Sequence, residues 1–130
     1  MGDIETIRAQ IPEFAGYEDI EKRRIADEQV RAFVGERLAE LPVQVVDTFS
    51  PEERTLYDGL LLRSEFLNQP AFRVFEEKPT PERINALLEA DAELATAAKD
   101  LKAAKREDLG AISKRLNEAF DKRDAAMTSA

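Results

Sequence analysis

The chain has 130 residues, a length at which one domain buries a real core without metal or disulfide staples. It holds neither Cys nor His, which excludes disulfides, thiolate and Ser-His-Asp nucleophiles, sulfur- and imidazole-based zinc centres, and the Glu-x-x-His di-iron pattern of helical bundles. A net charge of −8, from 27 acidic against 19 basic residues, argues against nonspecific binding to nucleic acid or anionic membrane, since both are polyanions.

Ala, Glu, Leu, Lys and Arg are abundant beside five Gly and six Pro, a composition that favours helices over strands. In "DIETIRAQIPEF" Ile4, Ile7 and Ile11 share one helical face, and Pro12 disfavours helical backbone at Ile11, so a short first helix closes there. After a turn at Gly16 the chain runs to Pro42 with Ala26, Val30, Phe33, Val34, Leu38 and Leu41 recurring every three or four residues. This spacing predicts an amphipathic helix over about 17 to 41. "PVQVVDTF" has no partner strand and reads as irregular or helical.

"SPEE" at 50 to 53 is a helix start: Ser50 as N-cap, Pro51 at the first helical position, and Glu53 placed to complete a capping box. Leu56, Tyr57, Leu60, Leu61, Leu62, Phe66 and Leu67 then surround most of the helix, predicting that 51 to 68 is the central, most buried element. Phe72, Val74 and Phe75 predict a short helical turn near 71 to 77. Thr80 and Pro81 repeat the cap-then-proline start.

No proline follows until the end of the chain, and the stripe 84, 87, 91, 94, 98, 101, 105, 109, 112, 116, 120 keeps a helical period through Gly110. It predicts one long C-terminal helix from 81 to 127, reaching roughly 65 to 70 Å. A helix of that length outruns the domain, so Leu109, Ile112, Leu116 and Phe120 are expected to meet a second copy. In the alternative, Gly110 acts as a helix C′ residue behind Lys105 and Arg106, and the chain folds back.

The charge pattern offers few chemical groups. "EDIEKRRIADEQVR" places Arg23, Asp27 and Arg31 at i, i+4 steps, the spacing of a solvated ion-pair ladder; the sharper reading is that Arg23, Arg24 and Arg31 present guanidinium forks to a partner's carboxylates or phosphate. Glu36 with Glu40 and Glu89 with Glu93 are carboxylate pairs at helical spacing. Without His they read as exposed charges rather than metal ligands, and no cofactor is expected. Asp91 differs, because it falls on an apolar stripe, where a carboxylate is either paired or perturbed. The aromatics read mainly as core, with Phe72 and Phe75 the pair placed for external contact. The excess of basic residues over 99 to 123, eight against five acidic, lacks the density and interleaved aromatics of a nucleic-acid surface.

The sequence therefore predicts an all-α antiparallel bundle forming a single domain over 1 to 130. The expected function is a non-catalytic protein-interaction or assembly module, a cytoplasmic homodimer. Neither a leader nor a membrane span is expected. A bundle with a small-ligand or carboxylate-metal pocket around Asp91, Tyr57 and nearby arginines is the second reading.

Overall fold

The computed structural model describes residues 2–65 and 80–128. These residues form an all-α protein with no strand among them: α1 (Asp3–Gln10), α2 (Ile20–Ala39), the single turn α3 (Val43–Val46), α4 (Pro51–Glu65), α5 (Pro81–Leu101) and α6 (Leu109–Thr128). The short segment near 71 to 77, with Phe72 and Phe75, lies outside the described residues.

The start signals act as their residue types dictate. Ser50 Oγ accepts from the Glu53 N–H at 3.2 Å while Glu53 Oε1 accepts from the Ser50 N–H at 2.9 Å, a reciprocal box that satisfies otherwise orphaned donors. Thr80 Oγ1 accepts from the Arg83 N–H at 3.2 Å, with proline next in the chain.

The long C-terminal helix does not exist. The helix stops at Leu101, and the Lys102 and Ala104 N–H groups form tight turn bonds of 3.3 Å to Lys99 and Leu101. Lys105 is extended, and Arg106–Asp108 makes a 3-10 turn that leads into α6. Asp108 carries the local logic: its Oδ2 accepts from the Lys105 N–H at 3.3 Å, half of a capping box built without Ser or Thr. Lys99 closes α5 while Glu107 and Asp108 open the next segment, each sign suiting the dipole end it meets. The helical phase survives because both halves face one core. The joint lies at 102 to 108, so Gly110 belongs to the first turn of α6 and ends nothing.

Folding back makes α5 and α6 an antiparallel hairpin, with Asp100 on Arg115 and Asp91 on Arg123. α2 and α4 also run antiparallel: Tyr57 reaches Leu38 at one end and Arg31 reaches the Ser64 and Glu65 carbonyls at the other. α1 and α2 pack on α5, and α4 closes against α2 and α6. The central helix is thus α5, which buries Leu87, Leu94, Leu101 and a run of alanines. α4 buries Tyr57, Leu60 and Ser64 and leaves Leu62 57% exposed. Small alanines let neighbours approach α5 from several sides, whereas bulky leucines around α4 outnumber the neighbours available to cover them.

Candidate functional site

The residues expected to meet a second copy are core residues of this chain. Leu109, Ile112, Leu116 and Phe120 all lie under 7% exposure, and Leu116 is fully enclosed. The turn at 102 to 108 is the cause, since it supplies from within the chain the cover that a projecting helix would seek outside.

The charged ladder of α2 is likewise not a solvated face. Arg23 and Asp27 are buried and Arg31 is nearly so, while Arg24 is exposed. Asp27 accepts from two arginines: Arg31 donates Nε and Nη2 to Oδ2 at 2.9 and 2.7 Å, and Arg123 of α6 donates Nη2 to Oδ1 at 2.5 Å. Arg123 also donates Nε to Asp91 Oδ1 at 2.8 Å, and Asp91 Oδ2 accepts the Tyr17 hydroxyl. Arg31 finally donates Nη1 to Glu65 O at 3.1 Å, at the carbonyl end of α4. Tyr17, Asp91, Arg123, Asp27, Arg31 and the end of α4 thus form one continuous polar chain through the core.

Local sequence explains how Tyr17 arrives there. Gly16 sits at φ +81°, a left-handed turn that glycine adopts without steric penalty. Arg8 donates to Phe14 O at 3.2 Å, Gln29 donates to Glu13 O and accepts from the Ala15 N–H at 2.8 Å each, and Arg23 Nε donates to Tyr17 O at 2.8 Å. The polar side chains of α1 and α2 thus hold the 11 to 19 loop in shape.

The network balances its charges, Asp27 and Asp91 against Arg31 and Arg123. Burial pushes the Asp91 carboxyl above its usual range against the opposing pull of Arg123 and the Tyr17 hydroxyl. Burial, reinforced by the Asp91 charge, keeps the Tyr17 phenol protonated well above its ordinary range. Burial works against the charge of Arg123, and the surrounding Tyr17, Asp91 and Asp27 oxygens overcome it, holding the guanidinium charged. Both Asp91 oxygens are therefore occupied, and what the arrangement does chemically is bind its own helices together.

Tyr57, the other centre of the pocket reading, lies elsewhere; its hydroxyl donates to Leu38 O at 3.1 Å. Glu36 and Glu40 flank Arg37 at 3.7 and 2.7 Å, and Glu89 and Glu93 face solvent. Among the described residues no cluster of three acidic side chains could hold a metal ion, and no helix is long and apolar enough to cross a membrane.

A cleft opens at the other end of the molecule, between the end of α2, α3 and the α5–α6 turn. Its volume is about 250 Å³, with Leu41, Pro42, Val45, Leu101 and Leu109 as apolar walls and Arg37, Lys102 and Arg106 beside Glu40 as charged ones. Arg106 is anchored, donating to Glu53 at 2.8 and 3.1 Å and to Thr48 Oγ1 at 2.8 Å, with its guanidinium 5.1 Å from the Phe49 ring. Arg37 is less engaged: it stacks 5.3 Å over the Phe33 ring, and its Nε is buried without a hydrogen-bond partner. Sequence reading missed Tyr17, Asp27 and Arg123 as one unit. The available signal was the stripe of α6 extending one step past Phe120 onto Arg123.

No protein-family model, curated protein or solved structure matches this chain.

Proposed function

We propose that the protein is a non-catalytic helical module, working in the cytoplasm, that recognises a protein partner at the end built by α2, α3 and the α5–α6 turn. The observation that carries this reading is Val43, 69% exposed on α3, next in sequence to the cleft residue Pro42 and two positions before the cleft residue Val45. Together with the apolar cleft walls of Leu41, Pro42 and Val45 it extends one apolar surface, and contiguous apolar surface is the feature of contact sites. The buried network favours binding over catalysis, because the carboxylate best placed to be reactive is held by Tyr17 and Arg123. The net charge of −8 favours a protein over a nucleic acid.

Selection of displayed random peptides on the immobilised protein tests the reading. Enriched peptides should bind wild type and lose at least tenfold in affinity, about 1.4 kcal/mol, to Val43→Glu, whose exposed position leaves the fold intact by circular dichroism. Equal binding to both proteins would remove this end of the molecule as the recognition surface.

A further inference from the structure

We propose that α6 exchanges between two copies of the chain: the turn at 102 to 108 straightens, α5 and α6 become one continuous helix, and each chain's α6 takes the place of the other's. Exchange needs no outside partner, and the reason for it lies in the joint. The segment from Lys102 to Asp108 holds neither Gly nor Pro, and Ala, Lys, Arg and Glu, which make up most of it, are strong helix formers. None of its residues takes the left-handed backbone that only a few residue types adopt without penalty. Lys102 is helical already, Arg106–Asp108 is a 3-10 turn, and Lys105 is extended. Only Ala103, Ala104 and Lys105 stand between the two helical stretches.

A hairpin needs an apolar seam on each helix. A straight helix needs in addition that the two seams line up across the joint, and they do. Leu87, Leu94 and Leu101 before it and Leu109, Leu116 and Phe120 after it are all buried. From Ile84 to Phe120 the chain advances 36 residues, about ten turns at 3.6 residues each. Drawn out straight, α5 and α6 present both seams to the same side, so two such helices laid antiparallel cover each α5 with the other chain's α6. The contacts of the hairpin are then recovered between chains, Asp91 with Arg123 and Asp100 with Arg115 among them. That is the condition under which exchange of an element gives a dimer at low cost.

The bonds that hold the hairpin shut are local. The turn bonds of Lys102 and Ala104 are 3.3 Å long, beyond the usual length of about 2.9 to 3.0 Å. Asp108 caps the Lys105 N–H at 3.3 Å only while Lys105 is extended. Arg106 supplies the firm anchor, on Glu53 and Thr48 at 2.8 Å each, and straightening has to release it. In return, a continuous helix satisfies the carbonyls at the end of α5 and the N–H groups at the start of α6, which a break leaves without intrahelical partners. The two straightened joints meet at the two-fold axis of the dimer, and each brings with it the end of the molecule where Val43 is 69% exposed beside the cleft. Exchange thereby gates that end, open in the monomer and faced by the second copy in the dimer.

The test is refolding of the full chain from urea at low and at high protein concentration, read by light scattering on a size-exclusion column. Wild type should give monomer when dilute and a growing share of long-lived dimer when concentrated. Isotope-filtered NMR on dimers of labelled and unlabelled chains should place the α5–α6 contacts between chains. Lys105→Pro should stay monomeric with wild-type circular dichroism, because proline accepts a φ near the −82° of Lys105 but breaks a continuous helix. Arg106→Ala, which removes the anchor, should raise the dimer fraction several-fold at equal concentration. Monomer alone at every concentration, a dimer whose α5–α6 contacts stay within each chain, or equal dimerisation of Lys105→Pro would each overturn the exchange.

Discussion

Arg123 concentrates the chemistry of this fold in one side chain. It is 2% exposed and bonded to Asp27, Asp91 and the Tyr17 oxygen, so removing it leaves the buried Asp91 without its cation while Asp27 keeps Arg31. Breaking a buried pair in this way costs about 3 to 5 kcal/mol, and Arg123→Met is expected to lose that much in urea denaturation; a loss under about 1 kcal/mol would mean that the network behaves as a surface pair. Glu53 gives the matching acid-side expectation. Hydrogen bonds from Arg106, then the Ser50 N–H, lower its carboxyl from 4.5 to about 2. A depressed carboxyl stabilises the fold fully above its unfolded value and loses that contribution as pH falls through the folded one. Wild type should therefore lose stability between pH 4.5 and about 2 more steeply than Glu53→Gln, as followed by denaturation at stepped pH. Asp91 was legible as an anomaly, a carboxylate on an apolar stripe, yet its partners were not. Tyr17 and Arg123 lie 74 and 32 residues away, and no local spacing reports contacts that only the folded chain creates.

At the scale of elements, caps and stripes were readable because each is decided within a few residues: Ser50 with Glu53, Thr80 with Pro81, Ile7 with Ile11. The turn at 102 to 108 was not, because it contains neither Gly nor Pro and its capping residue is Asp108 acting on Lys105. Asp91 and Arg123 are equally far along the chain from Glu107, and that symmetry becomes meaningful only once the hairpin is granted. Helix contacts also separate glycines that the sequence treats alike. A Cβ on Gly59 meets nothing within 4 Å, whereas one on Gly35 would lie 2.9 Å from Ser64 Oγ, where α2 and α4 approach closely. Gly59→Ala should stabilise by about 0.5 to 1 kcal/mol. Gly35→Ala should be net destabilising, because overpacking of about 1 to 3 kcal/mol exceeds the gain in helix propensity. Thermal melts of the two variants decide it, and equal shifts would show that α2 and α4 have room to part.

For the whole molecule, the expectation most altered by the fold concerns Leu116. As part of a projecting helix its replacement by Glu would separate two copies and leave each folded. Fully enclosed as it is, Leu116→Glu buries an unpaired charge and should cost at least about 3 kcal/mol. The variant is expected to lose helical circular dichroism at a temperature where wild type keeps it; a folded variant of unchanged stability would contradict the hairpin. The all-α class followed from composition and periodicity, which survive any arrangement of the helices. Which helix is central, and which face meets solvent, depended on a single reversal of direction.

The polar chain from Tyr17 to Arg31 also bears on how long the native state lasts. Its charges gain from leaving water only when all of them arrive together, and they come from α2, α5, α6 and the loop before α2. Contacts that assemble last contribute little to the rate of folding and much to the barrier against unfolding. Arg123→Met should accordingly speed unfolding in stopped-flow experiments while folding keeps nearly its wild-type rate. The buried charges then act as a latch in time, setting the lifetime of the surface that the outer helices present.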